Sequence, residues 1–305
     1  NMSEEQFVSL VNTGLFVADE ALEKGLIDYM DYPDVMLKKI REQVTGNPDD
    51  EDLVFQPMKK YVFGIQDEYE KGKLHRGKGN SQAKTGVALV YAVGAIMPGE
   101  VQSSAPMTLL NEGIAASNVI APAIMDAAED ETIQTIILRV DSPGGSPAAS
   151  EAILRALEVA KEKGKVVLVS MGTTAASGGY WIAANADQIF VSGTTITGSI
   201  GVVGGKFVFG DMMDKLGVNW ESIKFGRNAE MWSITRAFDE SEAERINAML
   251  DNVYRNFLQR VAKGRNMTLE QVDDIAKGRV WSGKSALQVG LADQEGGLLD
   301  TINYA

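Results

Sequence analysis

Two short glycine-rich runs hold the residue types that acyl transfer requires. They read Asp141-Ser142-Pro143-Gly144-Gly145-Ser146 and Thr174-Ala175-Ala176-Ser177-Gly178-Gly179-Tyr180-Trp181. Acyl transfer needs a nucleophile and hydrogen-bond donors for the developing oxyanion. Ser177 offers the first. Main-chain N–H groups beside the glycine pairs offer the second, because glycine lets a substrate carbonyl approach the backbone closely. Plain strand-to-helix turns, with Ser177 as an N-cap, account for the same runs. A serine nucleophile also needs a base, and here the sequence is restrictive. There is no cysteine and one histidine, His75, set in Lys71-Gly72-Lys73-Leu74-His75-Arg76-Gly77-Lys78, where it reads as a solvated residue. That weighs against a Ser-His-Asp triad. Arginine stays protonated, so the remaining common base is a lysine made neutral by burial or by a nearby cation.

Elements that could carry these turns alternate between strand and helix. Residues 86–97 and 135–140 are apolar, Val/Ile-rich strand candidates, and 150–163 places Ile153, Leu157 and Ala160 on one helix face. Residues 165–171 form a third strand, 176–186 a helix and 189–192 another strand, with helices expected over 241–263 and 269–276. A further strand is expected over 220–225. Such alternation implies an α/β fold with a mainly parallel sheet, whose C-terminal edge is where glycine-rich turns aim N–H groups into a crevice.

The bulk composition removes other classes of function. With 305 residues, 45% hydrophobic, the chain can form one large domain plus a smaller appendage. Its 42 acidic against 29 basic residues give a net charge of −13, which opposes binding to nucleic acid or anionic lipid. Without cysteine there are no disulfides and no zinc-thiolate sites. The longest apolar run, Val87 to Met97, is shorter than the roughly twenty residues that cross a bilayer.

The first forty residues resemble the last forty without a gap. Asn1-Met2-Ser3-Glu4-Glu5-Gln6 aligns with Asn266-Met267-Thr268-Leu269-Glu270-Gln271, and Ala21-Leu22-Glu23-Lys24-Gly25-Leu26-Ile27-Asp28 with Ala286-Leu287-Gln288-Val289-Gly290-Leu291-Ala292-Asp293, all at an offset of 265. Chance likeness of two helix-turn-strand units is one reading; a tandem duplication with the tail of a first copy at the start of the chain is the other. On the second reading the organisation is a repeat tail at 1–43, a polar linker at 44–84 and a full domain at 85–305.

Five motifs in order, Asp141-Ser-Pro-Gly-Gly-Ser146, Ala175-Ala-Ser-Gly-Gly-Tyr-Trp181, Thr197-Gly-Ser-Ile-Gly201, Ser233-Ile-Thr-Arg-Ala237 and Gly278-Arg-Val-Trp-Ser-Gly283, resemble the signal peptide peptidase A (protease IV) family. The resemblance implies a ClpP/crotonase-like domain, present twice in long-form members, with this chain as the C-terminal half and the tail of the N-terminal half. It implies Ser177 as nucleophile, Gly144 or Gly145 together with Gly178 as oxyanion-hole donors, and Ser199 as the serine that positions the general-base lysine. Single-domain members carry that lysine in a segment resembling Gly-x-x-Lys, whereas this chain reads Gly226-Arg227-Asn228-Ala229. The base is therefore expected from the upstream domain, with Lys224 the better outsider and Lys206 the other. The implied activity is a cofactor-free Ser-Lys peptidase that degrades cleaved signal peptides and other extended apolar peptides, in a homo-oligomer at the periplasmic side of the inner membrane. A crotonase-type acyl-CoA enzyme and a non-catalytic peptide-binding or scaffolding half are the alternatives.

Overall fold

The structure, a computed structural model, describes residues 2–50, 86–99 and 113–305. His75 and the linker from residue 51 lie outside the described residues. The chain divides into two compact units, one from 1–71 and 206–249, the other from 72–205 and 250–305.

The second unit is built on a sheet of strands β1 (Gly86–Val93), β4 (Ile133–Ser142), β5 (Val166–Ala176), β6 (Gln188–Val191) and β9 (Gln294–Glu295), hydrogen-bonded in that order and all parallel. Strand β7 (Ile196–Gly198) pairs parallel with the end of β5 and antiparallel with β8 (Val280–Ser282). A separate parallel pair joins β2 (Ala95–Met97) to β3 (Ile114–Ala116). Ile136, Ile137, Leu138 and Val140 of β4 are all fully buried, because a central parallel strand is covered on both faces. Along β1 burial alternates instead, with Ala88, Val90 and Ala92 inside, as suits an edge strand covered on one side. Ser146 caps the helix Pro147–Glu162 through its side chain (3.3 Å to the Ala149 N–H), and the helix buries Ile153, Leu157 and Ala160 as expected.

Three expected elements differ in the structure. The run 86–97 is two strands, because Gly94 turns the chain with φ 92°, and a Cβ there would lie 1.6 Å from the Gly113 carbonyl oxygen. The helix expected over 176–186 is the shorter Gly178–Ala183, preceded by β5, which runs through Ala176. Residues 220–225 form no strand; Trp220, Ile223 and Phe225 are exposed, with no neighbouring strand to pair them.

The likeness of the two ends extends to their helices. Helices Glu4–Thr13, Ala18–Glu23 and Pro33–Thr45 each begin 265 residues before helices Leu269–Ile275, Gly283–Gln288 and Leu298–Tyr304. Ser3 and Gln6 cap the first reciprocally, as Thr268 and Gln271 cap its counterpart. The Leu26 N–H donates to the Ala21 carbonyl at 2.8 Å, and the Leu291 N–H donates to the Ala286 carbonyl at the same distance. Burial separates the two segments: Val272 and Leu291 are fully buried, whereas the matching Phe7 and Leu26 are 55% and 43% exposed.

The helix Glu240–Arg265 starts in the first unit, on an ion pair whose carboxylate side is buried. Both Arg236 Nη atoms donate to the Glu242 carboxylate (2.6 and 2.8 Å), which also accepts the Asp239 N–H (3.0 Å). The Arg236 guanidinium holds the Glu242 carboxyl below the usual carboxylate range, against burial that acts the other way. A lowered value in the folded state contributes stability that is present above the unfolded value, about 4.3, and is lost as pH falls through the folded one. Glu242→Gln is therefore expected to melt below wild type at neutral pH, with the gap closing below about pH 4. Thermal denaturation across pH checks this; a gap that widens in acid would contradict it.

Candidate active site

The end of β5 delivers Ser177 to the edge of the sheet. Ser177 has φ 52° and ψ −122°, outside the regions a residue with a Cβ prefers. Three main-chain bonds hold this conformation: the Ser177 N–H donates to the Gly198 carbonyl (2.9 Å), and the Ser177 carbonyl accepts from the Tyr180 and Trp181 N–H groups (both 2.9 Å). Although it occupies the N-cap position of Gly178–Ala183, its side chain caps nothing. A capping serine would use its Oγ on the second or third helical N–H. Here the Oγ has no hydrogen-bond partner among the described residues, and the residue is half-buried.

The turn after β4 lies against this corner. A Cβ on Gly144 would fall 2.6 Å from the Gly178 nitrogen and 2.8 Å from the Ser177 Cβ, and one on Gly178 would fall 3.0 Å from the Gly145 nitrogen. The Gly144 N–H is already used, donating to the buried Ser142 Oγ at 3.1 Å. The Gly145 and Gly178 N–H groups have no acceptor among the described residues. Ile96 of β2 fixes the turn from outside: its N–H donates to the Gly144 carbonyl and its carbonyl accepts the Ser146 N–H, both at 2.8 Å. Two free donors and a free hydroxyl thus meet where the two glycine runs touch.

Strand β7 places Ser199 one residue beyond Gly198, which pairs with Ala176, so Ser199 and Ser177 adjoin in register. Both belong to the four non-glycine residues with positive φ among those described; Ser199 has φ 49°, fixed by its N–H donating to the Arg279 carbonyl at 2.7 Å. Behind Ser177, Tyr180 is fully buried and donates its hydroxyl to the Leu291 carbonyl (2.9 Å), and burial pushes its phenol well above its ordinary pKa.

The structure brings Ser177, Gly144, Gly145, Gly178 and Ser199 together in the second unit. Ala229 and Lys224 belong to the first. Ala229 is exposed in a turn, and Lys224 is ion-paired with Glu230 at 2.8 Å. Lys206, also there, donates to the Met231 carbonyl (2.8 Å) and lies over the Phe238 ring. Sequence reasoning missed three side chains that brace the β5 corner. Thr197 Oγ1 donates to the Ala175 carbonyl (2.7 Å), Thr195 Oγ1 to the Gly172 carbonyl (2.8 Å), and Asp141 Oδ1 accepts the Thr174 N–H (3.0 Å). Asp141 and Thr197 each open a motif already noted, but only the strand register shows what they hold.

Residues 159–305 match the sequence profile of peptidase family S49. The chain is 32% identical over 302 residues to a chloroplastic serine protease SPPA of Arabidopsis thaliana, covering 99% of this chain and 42% of that protein. It is 38% identical over 219 residues to protease 4 of Salmonella typhi and 37% over 222 to protease 4 of Haemophilus influenzae, covering 72% of this chain and 34% of each relative. The chain thus spans well under half the length of these relatives. A parallel sheet with glycine-rich turns at its C-terminal edge is the ClpP-like architecture of that family. With this profile match, these relatives and this fold, the chain is an SppA-like protein that carries a peptidase family S49 domain.

Proposed function

We propose that the protein is a serine endopeptidase of the Ser-Lys type, in which this chain supplies the nucleophile Ser177 and an oxyanion hole made by the Gly145 and Gly178 N–H groups. The observation that carries this reading is a serine at a helix start that caps nothing, in a strained conformation, beside two unpaired donors. A lysine held by Ser199 would take the Ser177 proton as the hydroxyl attacks a peptide carbonyl. It would return that proton to the leaving amine, then activate water to release the acyl group. The repeat supports an upstream source for this lysine. Residues 2–45 reproduce the helices of 266–304, yet leave Phe7 and Leu26 exposed where the matching Val272 and Leu291 are buried, as expected of a tail belonging to a second domain of the same fold.

Apolar extended peptides, cleaved signal peptides among them, are the substrates we propose. A strand-like segment could lie along the exposed Gly145 turn and place its carbonyl at the two donors. Homo-oligomerisation and action at the periplasmic face of the inner membrane belong to the same proposal; among the described residues no helix is long and apolar enough to cross a membrane.

A serine-reactive fluorophosphonate tests the reading by comparing this chain alone with the chain supplied with an upstream domain. Labelling of Ser177 only in the second case supports a lysine from that domain. Equal labelling in both moves the base into this chain, with Lys224 first to be replaced, and no labelling in either favours a peptide-binding half.

A further inference from the structure

Strands β4 and β5 fall out of register immediately before the site. Val140 pairs with Met171 and Ser142 with Ala175, so Asp141 alone faces Gly172, Thr173 and Thr174. This bulge precedes Ser177 by three residues, and bulges re-aim the chain that follows them. Asp141 occupies its centre. Its Oδ1 accepts the Thr174 N–H at 3.0 Å, and its carboxylate packs so closely on Gly172 that a Cβ there would lie 2.7 Å from Cγ and Oδ2. Its carbonyl accepts the Gly94 N–H at 2.9 Å, where β1 ends.

Resting on the peptidase reading above, we propose that Asp141 is a positioning residue which sets the span between the two oxyanion donors. Its main chain leads within four residues to Gly145, and its side chain holds the bulge that leads within four residues to Gly178. Besides the main-chain pairing of Ser142 with Ala175, the Asp141–Thr174 bond fixes one donor-bearing turn relative to the other. Without the acceptor, the Thr174 N–H loses its partner and the bulge relaxes. A displacement of about 1 Å at the donors is enough to cost about a hundredfold in rate.

The test uses Asp141→Ala, Asp141→Ser and Asp141→Asn in the full-length protein, read by the rate of fluorophosphonate labelling at Ser177 and by kcat and KM on an apolar peptide. The phosphoryl oxygen of the probe sits where the oxyanion forms, so its rate reports the donors. Asp141→Ala is expected to slow labelling and kcat by about a hundredfold with KM within about threefold. Asp141→Asn, which keeps an acceptor for Thr174, is expected to restore both to within about fivefold. Asp141→Ser keeps a polar group but stops one bond short of Thr174, and is expected to match alanine; it decides the matter if the alanine variant does not fold. Equal rates for wild type and the serine variant, or no rescue by asparagine, overturn the inference alone. Failure of wild type to label at Ser177 overturns the peptidase reading and this inference together.

Discussion

Ser177→Ala is expected to lower peptide turnover by the full-length protein by a factor of about 10⁴ or more while leaving its thermal stability nearly unchanged. The two halves of this result have separate causes. Turnover falls because the hydroxyl proposed to attack is gone, and Ser199, the other serine at this corner, has the separate proposed role of holding the lysine. Stability holds because the Ser177 Oγ makes no hydrogen bond to any described residue, so its removal orphans nothing. The N-cap reading of the same serine demands the reverse pattern: a loss of about 1 kcal/mol in stability and unchanged turnover. Ser177→Gly sharpens the contrast. Glycine accepts φ 52° without steric cost, so this variant is expected to be about 1 kcal/mol more stable than wild type and equally inactive. Steady-state assays with melting curves measure both. A serine-to-alanine variant that keeps a tenth of wild-type turnover would remove Ser177 from the chemistry.

Much of this site was legible because its parts are local. Glycine pairs after apolar strands, a serine between alanine and glycine and a lone linker histidine each carry their meaning within a few residues. The sheet was readable for the same reason, since Ile136-Ile137-Leu138 of β4 and Val167-Leu168-Val169 of β5 are unbroken apolar runs that suit burial on both faces. The bulge opposite Asp141 was not, because it is a mismatch between two strands and leaves no mark in either alone. Nor was the helix Ser117–Glu129 foreseen, where Pro122 interrupts the pattern although Ile120, Ile124 and Ala127 share one buried face. The segment 220–225 misled in the opposite direction. Its aromatic and β-branched residues suit a strand, but a strand exists only where a neighbour takes its hydrogen bonds, and Trp220, Ile223 and Phe225 stay exposed.

Gly144→Ala is expected to reduce kcat by about 10² to 10³, through crowding rather than through any lost side chain. Gly144 has φ 104°, which alanine adopts only under strain. The added Cβ would also meet the Gly178 nitrogen at 2.6 Å, the Ser177 Cβ at 2.8 Å and the Ala176 carbonyl oxygen at 2.9 Å. None of these atoms is the far end of a flexible side chain. Relief requires the 144–145 turn and the 177–178 corner to move apart, which changes the separation of the Gly145 and Gly178 donors. A misplaced donor loses most of its worth to the transition state, while contacts to the rest of an extended peptide survive. KM is therefore expected to change less than kcat. The strain also lowers stability by about 2 kcal/mol, so the assay belongs well below the melting temperature. Gly205→Ala is the control: a Cβ there meets nothing within 4 Å, and its stability and turnover are expected to match wild type. If Gly144→Ala kept turnover within threefold of that control, the oxyanion site would have to lie elsewhere than between these two turns.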